Sequence, residues 1–131
     1  MMQAATPLNG LRLLLVEDEA MVAMMLEDML SDLGCVVVGV AGSVSSGLAL
    51  ADDDDVQLDG AVLDVNLGGE TVYPVAAALK ARGVPFVFST GYARSGVAAD
   101  YEGVPVLAKP YELSTLASGL AGVLGNGRER R

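Results

Sequence analysis

Short apolar runs alternate with stretches of helical periodicity along this chain. Five runs rich in Val, Leu and Phe are too short for helices, and they predict strands over 11–16, 35–41, 60–64, 85–89 and 104–108. Between the first two, Val22, Leu26, Met29, Leu30 and Leu33 recur at helical spacing, and Gly34 stops that helix. Ser43 suits the N-cap of a second helix carrying Val44 and Leu48. A third helix runs from about Pro74 to Arg82, with Pro in its first turn and Gly83 after its end. Leu113, Leu116, Leu120 and Leu124 mark the apolar stripe of a final helix ending near Gly125. Ala93 to Glu102 is small, polar and poor in apolar positions, so a helix there is expected to be short or mobile. Strict alternation of strands and helices predicts an α/β fold with a parallel sheet, helices lying on both faces through right-handed crossovers. One domain over 10–125 is expected, with flexible termini at 1–9 and 126–131.

Composition narrows the chemistry. The 131 residues are 52% hydrophobic and 19% charged, which argues for a packed domain rather than a disordered chain. His is absent, so imidazole catalysis within this chain and zinc sites that need histidine are excluded. Cys35, the one cysteine, cannot form an internal disulfide and reads as a small core residue. A net charge of −9 argues against nucleic-acid binding, which relies on Lys and Arg contacts to phosphate. The N-terminus lacks the basic and apolar regions of a signal peptide, and no apolar stretch nears the about 20 residues of a membrane span. A soluble cytoplasmic protein with no membrane partner is expected. Gly39 to Gly47 has no Walker spacing, so it does not support an ATP-binding loop. Asp52 to Asp55 reads as a solvated loop or helix end. Met21, Met24, Met25 and Met29 read as core and helix surface, adaptable enough to join a docking face.

The apolar runs end in an unusual set of polar residues. The first passes into Glu17-Asp18-Glu19, the third ends at Asp64, the fourth reaches Ser89-Thr90-Gly91, and the last passes into Lys109-Pro110. In an open parallel sheet, the carboxyl ends of the strands form the crevice where ligands bind. Glu17, Asp18 and Glu19 alone could simply favour the positive end of the following helix, and Asp64 alone could be a turn former before Asn66 and Gly68-Gly69. A helix-start role explains neither Asp64 nor Lys109. Together the acids suit Mg²⁺, a hard cation that takes oxygen ligands from carboxylates, waters and phosphate. A carboxylate such as Asp64 can accept a phosphoryl group as an acyl phosphate. Lys109 and Mg²⁺ would supply positive charge, and the Thr90 hydroxyl could donate to a phosphoryl oxygen. Lys109 ends an apolar strand beside acids and is placed for an ion pair; Pro110 fixes the turn after it and permits a cis peptide.

In this order, the Glu17-Asp18 pair, Asp64 with Asn66, Thr90-Gly91-Tyr92 and Lys109-Pro110-Tyr111, the chain resembles the receiver domain of two-component response regulators over about residues 10–125. The resemblance implies a flavodoxin-like, doubly wound, five-stranded parallel sheet of order 2-1-3-4-5, an order for which a receiver is among the standard examples. It implies that Asp64 accepts a phosphoryl group from a histidine kinase, with Thr90 and Lys109 contacting it. Glu17, Asp18, Asp64 and the backbone carbonyl of Asn66 would hold Mg²⁺.

Departures from the family pattern refine this expectation. Val106 stands where most receivers carry an aromatic switch residue, so the usual coupling of that aromatic to the threonine should be absent or rerouted. Asn66-Leu67-Gly68-Gly69-Glu70 replaces the usual Pro and Asp-Gly turn, and the segment between Thr90 and Lys109 is short for the family. Pro85-Phe86-Val87-Phe88-Ser89-Thr90-Gly91-Tyr92 looks like the motif of the Phe-Ala-Thr-Gly receiver subgroup, with Ser89 for the usual Ala. That likeness implies alphaproteobacterial signalling and a kinase of the HWE or a related class. The leading reading is a stand-alone phosphoacceptor, not an enzyme beyond self-catalysed phosphorylation and dephosphorylation, that signals through protein contacts or acts as a phosphate sink or shuttle. Gly91 to Glu102 is its expected mobile element. A small Mg²⁺-dependent phosphohydrolase is an alternative, weakened because Asn66 stands where such an enzyme needs an acid; a pseudo-receiver that binds partners without phosphorylation is another.

Overall fold

The computed structural model describes residues 8–91, 101, 103–109 and 112–125. Its elements are β1 (Arg12–Val16), α1 (Ala20–Asp32), β2 (Val36–Ala41), α2 (Val44–Ala51), β3 (Gly60–Asp64), β4 (Asn66–Leu67), β5 (Glu70–Thr71), α3 (Tyr73–Ala81), β6 (Phe86–Thr90), β7 (Val106–Ala108) and α4 (Leu113–Leu120). A π-helical turn, Ala121–Gly125, continues α4. Five strands form one parallel sheet in the order β2-β1-β3-β6-β7, the expected 2-1-3-4-5 once the small β4–β5 hairpin is set aside.

Each central strand is buried on both faces, which is why its sequence reads as an unbroken apolar run. Successive side chains point to opposite faces and feed two cores. Leu13, Leu15, Val62 and Val87 pack with Ala23, Leu26 and Leu30 of α1 and with Leu116 and Leu120 of α4. Leu14, Val16, Leu63 and Phe88 pack with Ala51 of α2 and with Val75, Ala76 and Leu79 of α3. Leu113 was expected on the last helix's apolar stripe, but it is exposed; Leu116 and Leu120 carry the packing. Cys35 is buried, its thiol donating to the Leu8 carbonyl at 3.6 Å. Burial pushes that thiol up to about 11, so it is an uncharged packing group near neutral pH.

Several boundaries have identifiable causes. Gly34 ends α1 with φ of +91°, and a Cβ there would lie 2.6 Å from Asn9 Oδ1, so glycine is required twice over. Ser43 caps α2 in a reciprocal box: its Oγ accepts from the Ser46 N–H at 3.1 Å, and its own N–H donates to Ser46 Oγ at 3.2 Å. β7 is shorter than the predicted 104–108 because Pro105 has no N–H for the ladder; its carbonyl still accepts from Phe88 N at 3.0 Å. β2 carries a bulge against β1, its register shifting between Leu13 and Leu14. Asp52 to Asp55 are exposed, as expected of a helix end and loop. Arg82 bridges to that loop, donating to the carbonyls of Ala51 (2.8 Å) and Val56 (2.7 Å). Met21, Met24 and Met25 lie on the surface of α1, Met21 at 83% exposure, and only Met29 packs against the core.

No helix among the described residues is long and apolar enough to cross a membrane. The helix expected over 93–102, the mobile 91–102 element, the Pro110 peptide and the 126–131 tail fall outside the described residues, apart from Gly91 and Tyr101.

Replacing Ser43 by Ala removes the hydroxyl that caps α2 and is expected to cost about 1 kcal/mol of folding stability. A lower urea midpoint with an unchanged m-value checks this.

Candidate functional site

The ends of β1, β3, β6 and β7 lie side by side because the strands run parallel and in register. Asp64 pairs with Ser89, Thr90 pairs with Ala108, and the ladder continues past β7 where Lys109 N donates to the Thr90 carbonyl at 3.1 Å. On the other side, Glu17 N donates to the Ala41 carbonyl at 2.9 Å, extending β1 by one residue. Backbone pairing therefore fixes where each polar side chain starts.

Glu17 and Asp64 turn inward and are 3% and 6% exposed, whereas Asp18 is exposed at the rim. A carboxylate oxygen from each of the three lies within 4.8 Å of the others. Lys109 reaches into this group, its Nζ 2.8 Å from Glu17 Oε1 and 3.2 Å from Asp64 Oδ2. Two backbone groups complete the positioning. Glu19 N–H, at the start of α1, donates to Glu17 Oε2 at 3.1 Å, and Asn66 N–H donates to Asp64 Oδ1 at 3.4 Å. The ion pair of Lys109 predicted from sequence is present, and it has two partners.

Sequence reasoning offered a helix-start role and a site role for Glu17 as alternatives; the side chain accepts from the Glu19 N–H at the start of α1 with one oxygen and meets Lys109 with the other. Thr90 is buried at the end of β6. The Asn66 side chain is exposed, and its backbone lies on the hairpin that directly follows Asp64. That hairpin was not foreseen: Gly68 and Gly69 have φ of +57° and +93°, the pair of positive values a two-residue primed turn needs. Its far strand leads into α3, and Val72 N donates back to the Val65 carbonyl at 2.9 Å.

The electrostatics follow from this crowding. Burial, then the Glu17 charge, pushes Asp64 up to about 6, and Lys109 offsets only part of that rise. Burial by itself would lower the Lys109 pKa; the close carboxylates of Glu17 and Asp64 outweigh it and hold the ammonium above its ordinary value. Three carboxylates face one ammonium, so negative charge is in excess. Glu17 Oε1 is buried without an aligned hydrogen bond, its contact with Lys109 being one of charge. A set of hard oxygen atoms with excess negative charge and an under-satisfied buried oxygen fits a divalent cation such as Mg²⁺.

Sequence reasoning also missed an aromatic cluster under the site. Tyr101 stacks on Tyr73 (centroids 5.2 Å apart, planes 6° apart) and meets Phe88 edge-on at 5.4 Å. Phe86 meets Phe88 at 5.5 Å. Nothing in the local pattern around Tyr101 signals burial; only its aromatic character could have drawn notice.

Among solved structures, the chain is similar to SdrG from Sphingomonas melonis Fr1, at 44% identity over 88% of this chain and 96% of that one, with a TM-score of 0.75. The BeF3-activated conformation of SdrG from Pseudomonas melonis Fr1 matches at 43% identity over 91% of this chain and 97% of that one, with a TM-score of 0.73. The signal receiver domain of a modulated diguanylate cyclase from Desulfovibrio desulfuricans G20 matches at 26% identity over 94% and 100%, with a TM-score of 0.79. No protein-family model matches the chain, and no curated protein does.

Because its pKa is raised on folding, Asp64 binds a proton more tightly in the folded chain than in the unfolded one. Its contribution to stability is complete below the ordinary aspartate range and is lost as pH rises through about 6. In metal-free buffer, Asp64→Asn is therefore expected to be more stable than the parent by about 1–2 kcal/mol at about pH 7.5. The gain should shrink toward about pH 4, where the parent's acid is itself neutral. Urea titrations of both proteins across this range measure the difference.

Proposed function

The chain belongs to the response-regulator receiver domains of the alphaproteobacterial type, and from that premise we propose that Asp64 accepts a phosphoryl group in a Mg²⁺-dependent reaction. The observation that carries this reading is the Lys109 ammonium held between Glu17 and Asp64 at the strand ends, beside a three-carboxylate cluster. The protein is a signalling protein rather than an enzyme.

In the proposed step, a carboxylate oxygen of Asp64 forms a bond to phosphorus as the phosphorus–nitrogen bond of a phosphohistidine breaks. The imidazole nitrogen keeps the electron pair, and Asp64 becomes an acyl phosphate. The work of this chain is positioning and charge compensation, which dominate phosphoryl transfer. Asn66 N–H orients the Asp64 carboxylate, and Glu19 N–H orients Glu17. Lys109 follows the new negative charge from Asp64 to a phosphoryl oxygen while keeping Glu17 as its second partner, and the Thr90 hydroxyl donates to another. Glu17, Asp18, Asp64 and the backbone carbonyl of Asn66 would hold Mg²⁺, which would supply positive charge to the transferring group.

The phosphodonor in this proposal is a histidine kinase of the HWE or a related class, in the cytoplasm. Exposed Met21, Met24 and Met25 on α1, the helix that begins beside the site, support a docking role because methionine adapts its shape to a partner. The phosphorylated protein then signals through protein contacts or serves as a phosphate sink.

Incubation with acetyl phosphate and Mg²⁺ is expected to add the mass of one phosphoryl group to the intact chain. Chelation of the metal and Asp64→Asn should each abolish the adduct. An undiminished adduct in Asp64→Asn would overturn the assignment.

A further inference from the structure

Three chain segments carry the residues of the proposed phosphoryl chemistry, and each is tied to one residue, Tyr101: two through its ring and one through its backbone carbonyl. The segment carrying Asp64 continues as Val65, whose carbonyl accepts from Val72 N–H; Tyr73 follows and stacks face to face on Tyr101. The segment carrying Thr90 holds Phe88 two residues earlier, fully buried, with Tyr101 edge-on at 5.4 Å and 88° between the planes. The segment carrying Lys109 begins at Val104, whose N–H donates to the Tyr101 carbonyl at 3.0 Å, and it rejoins β6 where Phe88 N–H donates to the Pro105 carbonyl. Tyr73 and Phe88 also touch each other, edge to face at 5.8 Å, so Tyr101 closes a three-ring set. Such contacts depend on orientation, being favourable only stacked or edge-on, so a small displacement of either partner changes how the third ring sits.

We propose that Tyr101 is the positioning residue that reads the charge state of Asp64, coupling the Asp64 and Thr90 segments through its stack on Tyr73 and its edge contact with Phe88, and the Lys109 segment through the Val104 N–H on its carbonyl. This inference rests on Asp64 being the phosphoacceptor. Val106, which is half-buried on β7, has no ring with which to do this, and Tyr101 approaches the same second core from the segment before that strand. A new charge at Asp64 draws Lys109 and Thr90 toward it. Those displacements pass along β7 and β6 to Val104 and Phe88, and along the Val65–Val72 hydrogen bond to Tyr73. Coupling of this kind is reciprocal: if occupancy of the site repacks Tyr101, then removing the ring must alter the site's affinity.

The test uses protein labelled with 3-fluorotyrosine, the fluorine signals of its 4 tyrosines being assigned by single Tyr→Phe replacements. Mg²⁺ and beryllofluoride, a tetrahedral stand-in for a phosphoryl group, are added while the Val65 amide is followed as a reporter of the site. The Tyr101 fluorine signal is expected to shift together with the Val65 amide, and both should stay unmoved in Asp64→Asn. Tyr101→Leu, which keeps apolar volume without a ring, is expected to change beryllofluoride affinity about fivefold or more, and Tyr101→Phe to restore it. If the Val65 amide shifts while the Tyr101 signal and the Leu variant's affinity stay unchanged, the coupling is wrong and the phosphoacceptor reading stands. If the Val65 amide does not respond either, the phosphoacceptor reading fails and the coupling fails with it. The fluorine measurement is made on the intact side-chain set, so it decides the matter even if the Leu variant does not fold.

Discussion

The structure is organised around one electrostatic constraint: Glu17 and Asp64 are both buried at adjoining strand ends, and a single ammonium stands between them. Like charges at such separations repel by about 3–4 kcal/mol per pair at the effective dielectric of a protein. Removing both from water adds a further penalty. Lys109 offsets part of this, and the residue is visible in the elevated pKa of Asp64. A folded chain that tolerates such a site holds it ready for positive charge and for a proton. Its resting electrostatics, three carboxylates around one ammonium, favour added positive charge.

Everything else in the fold can be seen as keeping that constraint in place. The two cores anchor the strands from both faces, so the strand ends cannot retreat from one another to relieve the repulsion. Backbone donors at Glu19 and Asn66 hold the carboxylates from outside, which stops them rotating into solvent. Rigidity here comes from ladder hydrogen bonds and packing, not from the charged groups themselves.

The features legible in the sequence were those with local causes. Strands buried on both faces give continuous apolar runs, and the polar residue that breaks each run marks the site, which is how Asp64 and Lys109 stood out. The Ser43 cap and the Gly34 stop are likewise decided within a few residues. What escaped detection depends on distant partners or on elements too short to show a period. The β4–β5 hairpin has two residues per strand, and Gly68-Gly69 could equally have extended a plain turn. Tyr101 sits in a segment of small polar residues, and its partners Tyr73 and Phe88 come from other elements. The two contacts of Glu17 were hidden because one carboxylate has two oxygens, and sequence cannot say that they face different neighbours.

The bulge in β2 has a bearing on how copies of this protein behave toward each other. β2 is an outer strand of the sheet, and Val-Val-Val-Gly-Val-Ala carries neither charge nor proline, the usual guards of an exposed edge. Val36 and Val40 are exposed on it. A flat strand of this composition would template pairing with another chain, whereas a bulge bends the strand and increases its local twist, spoiling a continuous register. The chain's net charge of −9 adds a longer-ranged repulsion between molecules. One unpaired residue, Val38, thus breaks the flat register of an edge that carries two exposed valines and makes it a poorer template for another chain.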